Sequence, residues 1–197
     1  MDTERFEKQL KFILEIDKEK EIFRQTHISG GKRRENDAEH AWHMALMVWL
    51  LSEYSNQEID ICKTMLMVLA HDLVEVYAGD TYAYDKELAA TQKERETRAA
   101  EKLFGILPAD QGEKLKDIWE EFEEYETPEA RFAHTMDNFQ PMILNDSNGG
   151  GDWLEHGVAR AQVEKRNEKT ASGSEKIWEY MKTIIEKNIE RGSLKGE

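Results

Sequence analysis

The sequence predicts an all-α protein, a single helical bundle, and three observations favour this class. The chain of 197 residues contains only 12 Gly and 3 Pro. Strict alternation of apolar and polar residues, which is typical of strands, is scarce, whereas Ala, Leu, Glu, Lys and Met are abundant. A chain of this length buries about 70% of its unfolded surface without disulfide bonds or structural zinc. We therefore expect residues 1–197 to form one domain with one core.

The first quarter of the chain carries signals for two helices. Apolar residues at helical spacing predict a first helix over residues 3–24, which ends in a basic, glycine-containing loop at residues 27–35. Asn36 can cap the next helix, and the side chain of Glu39 can reach back to complete a capping box. These signals predict a second helix over residues 37–55.

A third helix is predicted from a start signal at residues 55–58 to about Tyr77, where Gly79 stops it. His71 and Asp72 fall in the last two turns of this helix, inside a run that is otherwise apolar. A buried carboxylate loses roughly several kcal/mol of hydration free energy, so something must compensate the charge of Asp72. A divalent ion shared with the neighbouring imidazole is the most economical candidate. We therefore predict that this segment is the active site.

Helices and loops alternate through the rest of the chain. A polar and aromatic loop at residues 78–85 precedes a helix over residues 86–104, and Pro108 opens a fifth helix that ends in the acidic stretch 120–126. Thr127 caps a sixth helix.

The sixth helix carries Asp137, and Pro141 should kink or end its regular part. Two further helices are predicted near residues 153–169 and 173–191. No internal repeat and no linker divides the chain.

Composition and charge exclude several classes of partner. The net charge of −14 and the lack of a Lys and Arg stripe argue against binding of DNA or RNA. A small phosphorylated substrate, held by one or two cations and a metal, remains compatible with this charge.

Cys62 is the only cysteine and cannot form an internal disulfide, which suits a reducing cytoplasm. Without a signal peptide or an apolar stretch of transmembrane length, a soluble cytoplasmic protein with no membrane partner is expected.

Four residues from three predicted helices form a candidate metal site: His40, His71, Asp72 and Asp137. Two imidazoles and two carboxylates suit one divalent transition metal, namely Mn²⁺, Co²⁺, Fe²⁺, Ni²⁺ or Zn²⁺. Such a set leaves positions for water and substrate on a six-coordinate ion, which indicates catalysis. A buried hydrogen-bonded network without metal is the alternative interpretation.

Other residues compete for these roles. Asp146 and Asp152 are alternatives to Asp137, but the first ends a helix and the second lies in a Gly-rich loop. His43, one turn after His40, is expected to be a core histidine or a partner of a ligand. Four residues of the second helix lie at helical spacing and are expected in the core: Trp42, Met44, Met47 and Trp49.

Residues 36–42 (Asn-Asp-Ala-Glu-His-Ala-Trp), residues 70–80 (Ala-His-Asp-Leu-Val-Glu-Val-Tyr-Ala-Gly-Asp) and Asp137 together resemble the HD-domain metal-dependent phosphohydrolases. The likeness is greatest to the small single-domain branch that includes bacterial 5'-deoxynucleotidases, and it spans residues 24–137. It implies a helical HD domain, a divalent ion on the four residues above, and hydrolysis of a phosphomonoester. The metal-site core is then expected at about 24–140, with C-terminal helices 153–191 packed on it.

The resemblance also implies roles for residues near the metal. Glu75 would transfer protons as a catalytic residue, and Asp80 would orient water or the sugar. Arg24 is implied as a phosphate clamp, although Gln25 follows it where the deoxynucleotidases are expected to have an aromatic residue. Arg33 is a second candidate for substrate binding.

Each of these roles has a simpler alternative. Glu75 is compatible with a solvated helix end, and Asp80 with a turn or helix cap. Arg24 can pair with acidic groups of the first helix, in which case Arg33 or Arg34 would bind the phosphate.

The sequence therefore predicts a cytoplasmic, homodimeric phosphohydrolase that acts on nucleoside or deoxynucleoside 5'-monophosphates. Three alternatives stay open: a diiron oxidase of the same fold, a non-catalytic nucleotide or metal sensor, and a hydrolase of nucleoside triphosphates or diesters. The diiron enzymes need extra histidines between the His-Asp pair and the last Asp, where this chain has only His134.

Overall fold

The structure, a computed structural model, describes residues 3–79 and 86–196. Helices dominate this part of the chain, which confirms the predicted all-α class. The α-helices of the described residues are α1 Thr3–Ile16, α2 Asp37–Leu51, α3 Ile61–Ala70, α4 Glu75–Ala78, α5 Lys86–Phe104, α6 Ala109–Glu124, α7 Pro128–Ser147, α8 Gly151–His156, α9 Arg160–Asn167 and α10 Glu175–Arg191. Two strands, β1 Phe23–His27 and β2 Arg34–Asn36, pair antiparallel, and 3₁₀ helices lie at Asp17–Glu21, Ser52–Tyr54 and Thr170–Ser172. In these residues, no helix is long and apolar enough to cross a membrane.

The first predicted helix is too long. It ends at Ile16, and a 3₁₀ turn leads into β1, which pairs with β2 across the predicted basic loop. Gly30 and Gly31 have φ angles of 88° and 66° in the connection between the strands, a conformation that favours glycine. Residues 17–24 have helix-forming side chains, and β1 is instead stabilised by pairing with β2, which helix propensity does not report.

The start of α2 matches its prediction. The Asn36 side chain accepts a hydrogen bond from the Glu39 backbone N–H at 2.9 Å, and the Glu39 carboxylate accepts one from the Asn36 N–H at 3.2 Å. This reciprocal capping box satisfies two backbone donors at the helix end. It also anchors the first turn of α2, which carries His40.

The third predicted helix is shorter than expected at both ends. Asp60 caps α3, which ends at Ala70, so that His71 and Asp72 lie in a tight turn before α4 rather than in a regular helix. The turn contains a backbone bond from the Glu75 N–H to the Asp72 carbonyl at 2.8 Å. The run is as apolar as a helix interior, so nothing in its local pattern indicates this break.

The later helices follow the predicted signals closely. Helix α5 has the predicted bounds, Pro108 precedes α6, and the Thr127 side chain caps α7 by accepting from the Ala130 N–H at 3.2 Å. Pro141 does not end α7, which continues to Ser147. Three helices, α8 to α10, replace the two predicted near the C-terminus.

A methionine-rich cluster joins α2, α3, α7 and α10 in the main core, and its fully buried members include Met44, Met67, Met136 and Met181. Met47 is buried as predicted, but the prediction was wrong for Trp42 and Trp49, which are 61% and 62% exposed. A smaller cluster that includes Leu103 and Phe104 of α5 and Trp119 of α6 packs beneath the turn between α3 and α4. The turn with His71 and Asp72 therefore lies between the two clusters.

We predict that Gly173→Ala destabilises the fold. A Cβ at this position would lie 2.3 Å from the Arg131 carbonyl oxygen and 2.4 Å from Thr135 Oγ1, so α7 and the segment before α10 would have to separate. Such overpacking costs about 1–3 kcal/mol of unfolding free energy. Urea denaturation measures the loss. Gly151→Ala is the matched control, since nothing lies within 4 Å of its Cβ position, and equal stability of the two variants would contradict the prediction.

Candidate metal centre

The four residues named from the sequence come together at one buried point. His40 comes from α2, His71 and Asp72 from the turn after α3, and Asp137 from α7. One donor atom each of His40, His71 and Asp72 lies within 4.8 Å of the others. The Asp137 Oδ1 atom lies 3.2 Å from His40 Nε2 and 3.9 Å from His71 Nε2.

In each imidazole, one nitrogen lies within hydrogen-bond distance of an uncharged oxygen atom of the protein, and the other nitrogen faces the carboxylates. His71 Nδ1 lies 2.9 Å from the carbonyl oxygen of Val68, so this nitrogen donates, and in the neutral ring Nε2 carries the lone pair. His71 Nε2 is buried without a hydrogen-bond partner, 3.0 Å from Asp72 Oδ2. A lone pair and carboxylate oxygens at this distance require a shared proton or a metal ion between them. The donor set therefore fits a divalent cation.

The electrostatics of the cluster favour charged carboxylates and cationic partners. Burial alone would lower the pKa of His71, but Asp72 and Asp137 raise it to about 9. Burial raises the pKa of Asp72, and the opposing charges of His71 and Arg24 lower it below its usual range. Burial likewise raises the pKa of Asp137, but the hydrogen bond with His40 and the charge of Arg166 lower it well below its usual range. A metal ion can take the place of the protons that these imidazoles share with the carboxylates.

Arg24 on β1 enters the same cluster. Its Nη1 lies 2.7 Å from Asp72 Oδ2 and 3.3 Å from Asp37 Oδ1, and its Nη2 lies 3.9 Å from Asp137 Oδ1. Burial would lower the pKa of Arg24, but these carboxylates raise it further above its usual value. Arg24 thus pairs with the carboxylates of the site. The alternative, a pairing with acidic residues of the first helix, is wrong.

Glu75 opens α4 and is buried, with 7% of its surface exposed. The interpretation of Glu75 as a solvated helix end is therefore wrong. Its negative charge is among those that raise the pKa of Arg24. Asp80 lies outside the described residues.

The other residues considered for phosphate or metal binding make their contacts away from the centre. Arg33 makes a two-pronged ion pair with Glu39, at 2.6 and 2.7 Å, on the outer side of α2. Asp146 accepts from Lys187 and Asn188 of α10. Of the carboxylates considered for the last position, the structure brings Asp137 to the His-Asp pair.

Asp152, the other competitor, pairs with His27 at 2.6 Å. His134 stacks on Phe122, with ring centroids 3.8 Å apart, and its Nε2 lies 2.8 Å from the Phe122 carbonyl oxygen. Burial lowers the pKa of His134 to about 4, so the ring is neutral. Its Nε2 donates to the backbone, and among the described residues His134 is not in the group whose donor atoms meet at the centre, so the structure adds no support for a diiron site.

Sequence reasoning missed several charged residues around the centre, among them Asp37, Arg166 and Glu19. Asp37 is fully buried beside Arg24, and Arg166 of α9 places Nη2 3.6 Å from Asp137 Oδ2. Glu19 is buried in the 3₁₀ helix after α1, and burial, followed by the charges of Asp72 and Asp37, raises its pKa to about 7. Asp37 lies in the motif that begins α2, so the sequence could have indicated its role. No local sequence pattern marks Glu19 or Arg166 as a neighbour of the centre.

Residues 16–178 match the HD-domain family, and the chain belongs to that family. It is similar to a solved structure named a predicted metal-dependent phosphohydrolase, from Magnetospirillum magnetotacticum MS-1. The two share 43% identity with a TM-score of 0.93, over 98% of this chain and 96% of the other. A conserved hypothetical protein from Pyrococcus furiosus shares the fold, with a TM-score of 0.59 and 24% identity over 92% of this chain and 99% of its own.

Curated relatives carry the name 5'-deoxynucleotidase HDDC2. The protein from Danio rerio is 29% identical over 113 residues, which are 57% of this chain and 54% of the relative. The protein from Homo sapiens is 28% identical over 131 residues, which are 66% of this chain and 61% of the relative. This chain thus spans a little more than half of the length of these relatives.

Proposed function

We propose that this protein is a divalent-metal-dependent phosphohydrolase that releases phosphate from nucleoside or deoxynucleoside 5'-monophosphates. The observation that carries the proposal is the meeting of two imidazoles, two carboxylates and the Arg24 guanidinium at one buried site. The similarity to proteins named metal-dependent phosphohydrolase and 5'-deoxynucleotidase supports the reaction and the substrate class.

His40, His71, Asp72 and Asp137 would hold one Mn²⁺, Co²⁺, Fe²⁺, Ni²⁺ or Zn²⁺ ion. Such an ion supplies Lewis acidity to a phosphoryl oxygen and lowers the pKa of water from 15.7 towards about 7. The donor nitrogens and oxygens come from α2, the turn after α3, and α7, so their relative positions depend on helices that pack in the main core.

Arg24 would bind the phosphate. Its guanidinium already lies among carboxylates, so its position and charge are set before substrate arrives. A phosphate group presents the same pattern of paired acceptor oxygens as a carboxylate and can take over one of these bonds. Asp37 would then keep the guanidinium in place from the other side.

Glu75 would accept and donate the protons of the reaction. It is buried and directly follows the turn that carries Asp72, and its carboxylate would lie at the edge of the proposed phosphate site. Asp80, one residue beyond Gly79, would orient water or the sugar of the substrate.

We expect phosphate release from 5'-monophosphates and not from triphosphates or phosphodiesters. One metal ion and one buried arginine can balance a dianionic phosphate, whereas a triphosphate carries roughly four charges and normally requires a cluster of Lys and Arg. A phosphate-release screen of nucleotides with Mn²⁺, Co²⁺, Mg²⁺ and Zn²⁺ checks this, and elemental analysis should find about one metal per chain. Faster turnover of triphosphates would overturn the substrate class, and no release from any nucleotide would favour a sensor.

Glu75→Gln should retain metal but lose about 10²- to 10⁴-fold in turnover, the usual contribution of a positioned general acid or base. The amide keeps the shape of the side chain and removes its ability to accept a proton. Metal content and steady-state kinetics are measured together. Glu129→Gln is the control, since its carboxylate lies at the start of α7 and accepts from the Asp60 N–H at 3.0 Å. Loss of metal would make Glu75 a ligand, and unchanged turnover would remove it from the mechanism.

We also propose that the protein is a cytoplasmic homodimer. Exposed Cys62 suits a reducing compartment. Along one face of α2, four large apolar residues recur at helical spacing and are 41–62% exposed: Trp42, Leu46, Trp49 and Leu50. Monomers rarely expose contiguous apolar patches larger than a few hundred Å², so this face favours burial against a second copy.

Trp49→Glu should therefore shift the protein to a monomer, because a charge would have to be buried at the interface. Light scattering coupled to gel filtration gives the mass of each form. Tyr180→Glu on α10, where the tyrosine is 55% exposed, is the control. A monomeric parent protein, or a Trp49→Glu variant that stays dimeric, would count against this face.

A further inference from the structure

A second line of buried polar residues lies behind His40. Glu35 of β2, Gln140 of α7 and His40 are 2%, 0% and 0% exposed. The two nitrogens of the His40 ring face different partners: Nε2 faces Asp137, and Nδ1 lies 3.0 Å from Gln140 Oε1. Neither Glu35 nor Gln140 has a part in the function proposed above.

The orientation of the Gln140 amide is determined by its other two contacts. Its Nε2 lies 2.8 Å from Glu35 Oε2 and 3.2 Å from His43 Nδ1, so both amide protons have an acceptor. The opposite orientation would place the amide oxygen against the Glu35 carboxylate with no proton between two acceptors. In a fully buried site this loss of hydrogen bonds is strongly unfavourable. The amide oxygen is therefore directed at His40.

This orientation decides which nitrogen of His40 carries the proton. An amide oxygen only accepts hydrogen bonds, so Nδ1 of His40 must donate, and Nε2 of the neutral ring presents its lone pair towards Asp137 and His71. A ring with the proton on Nε2 could not ligate a metal at that position. Partners of this kind fix the tautomer and the orientation of metal-binding histidines.

We propose that Glu35 and Gln140 are positioning residues, which hold His40 in the tautomer that offers Nε2 to the metal. The inference rests on the proposed function only in taking His40 as a ligand. Gln140 follows Asp137 by one helical turn, so α7 supplies a carboxylate to one side of the His40 ring and an amide to the other. Glu35 acts through Gln140 and lies 3.6 Å from His40 Nδ1 at its nearer oxygen.

Glu35→Gln is the first test. The new amide can donate to Gln140 Oε1, which allows the Gln140 side chain to turn and place its NH₂ group against His40 Nδ1. The tautomer with the proton on Nε2 then gains population. We expect affinity for Co²⁺, followed by visible absorption, to fall about 10- to 100-fold, the usual effect of losing such a partner.

The double variant Glu35→Gln/Gln140→Glu exchanges the carboxylate and the amide. The carboxylate at position 140 accepts from His40 Nδ1 and from the new amide at position 35, and His43 can change tautomer to donate to it. Co²⁺ affinity should therefore return close to that of the parent protein. In ¹¹³Cd-loaded protein, coupling of ¹¹³Cd to ¹⁵N should identify Nε2 as the ligating nitrogen of His40 in the parent and in the double variant.

Glu129→Gln is the matched control and should leave Co²⁺ affinity unchanged. Parent-like affinity in Glu35→Gln would overturn the inference, as would a folded double variant that binds Co²⁺ no better than Glu35→Gln. If Glu35→Gln does not fold, the double variant decides alone, since it must fold and bind Co²⁺. A parent protein that binds Co²⁺ but releases no phosphate would reject the proposed reaction and leave this inference standing.

Discussion

The burial of opposite charges around Arg24 is the interaction on which the centre of this structure depends. Asp37, Asp72 and Asp137 lie in or beside the core, and isolated carboxylates in such places are costly. Arg24 reaches all three from β1 and, with the imidazoles, balances their charge. Removing one member would leave a buried charge uncompensated, so the strand, the turn after α3, and helix α7 are linked through this cluster.

The surrounding apolar core fixes the relative positions of the residues in this cluster. Side chains of α2, α3, α7 and α10 interlock in the methionine-rich cluster, while α5 and α6 pack beneath the turn that carries Asp72. Close-packed interiors deform little. The spacing between imidazoles and carboxylates therefore depends on helix positions set by contacts far from the site.

The ion pair between Arg24 and Asp72 would link substrate binding to metal binding. Arg24 is engaged with Asp72 at 2.7 Å, so a phosphate that binds Arg24 competes with a proposed metal ligand for the same guanidinium. If Asp72 ligates a divalent ion, its carboxylate would share its charge between the ion and Arg24, and the guanidinium would bind phosphate more readily. Metal and substrate would then favour each other's binding through one shared carboxylate, with Asp37 retaining the guanidinium. The same ion pair would hold the site together before either arrives.

Local chemistry in the sequence by itself determined the helical class, the capping box at Asn36, the bounds of α5, and the motif residues that meet at the centre. These features depend on propensity, capping hydrogen bonds and the need to compensate buried charge, all of which are readable from neighbouring residues. Tertiary structure alone decided the strand after α1, the break at Ala70, the exposure of the tryptophans on α2, and the approach of Glu35 and Gln140 to His40. Each of these depends on pairing or packing between separate elements, whose energies outweigh local preference.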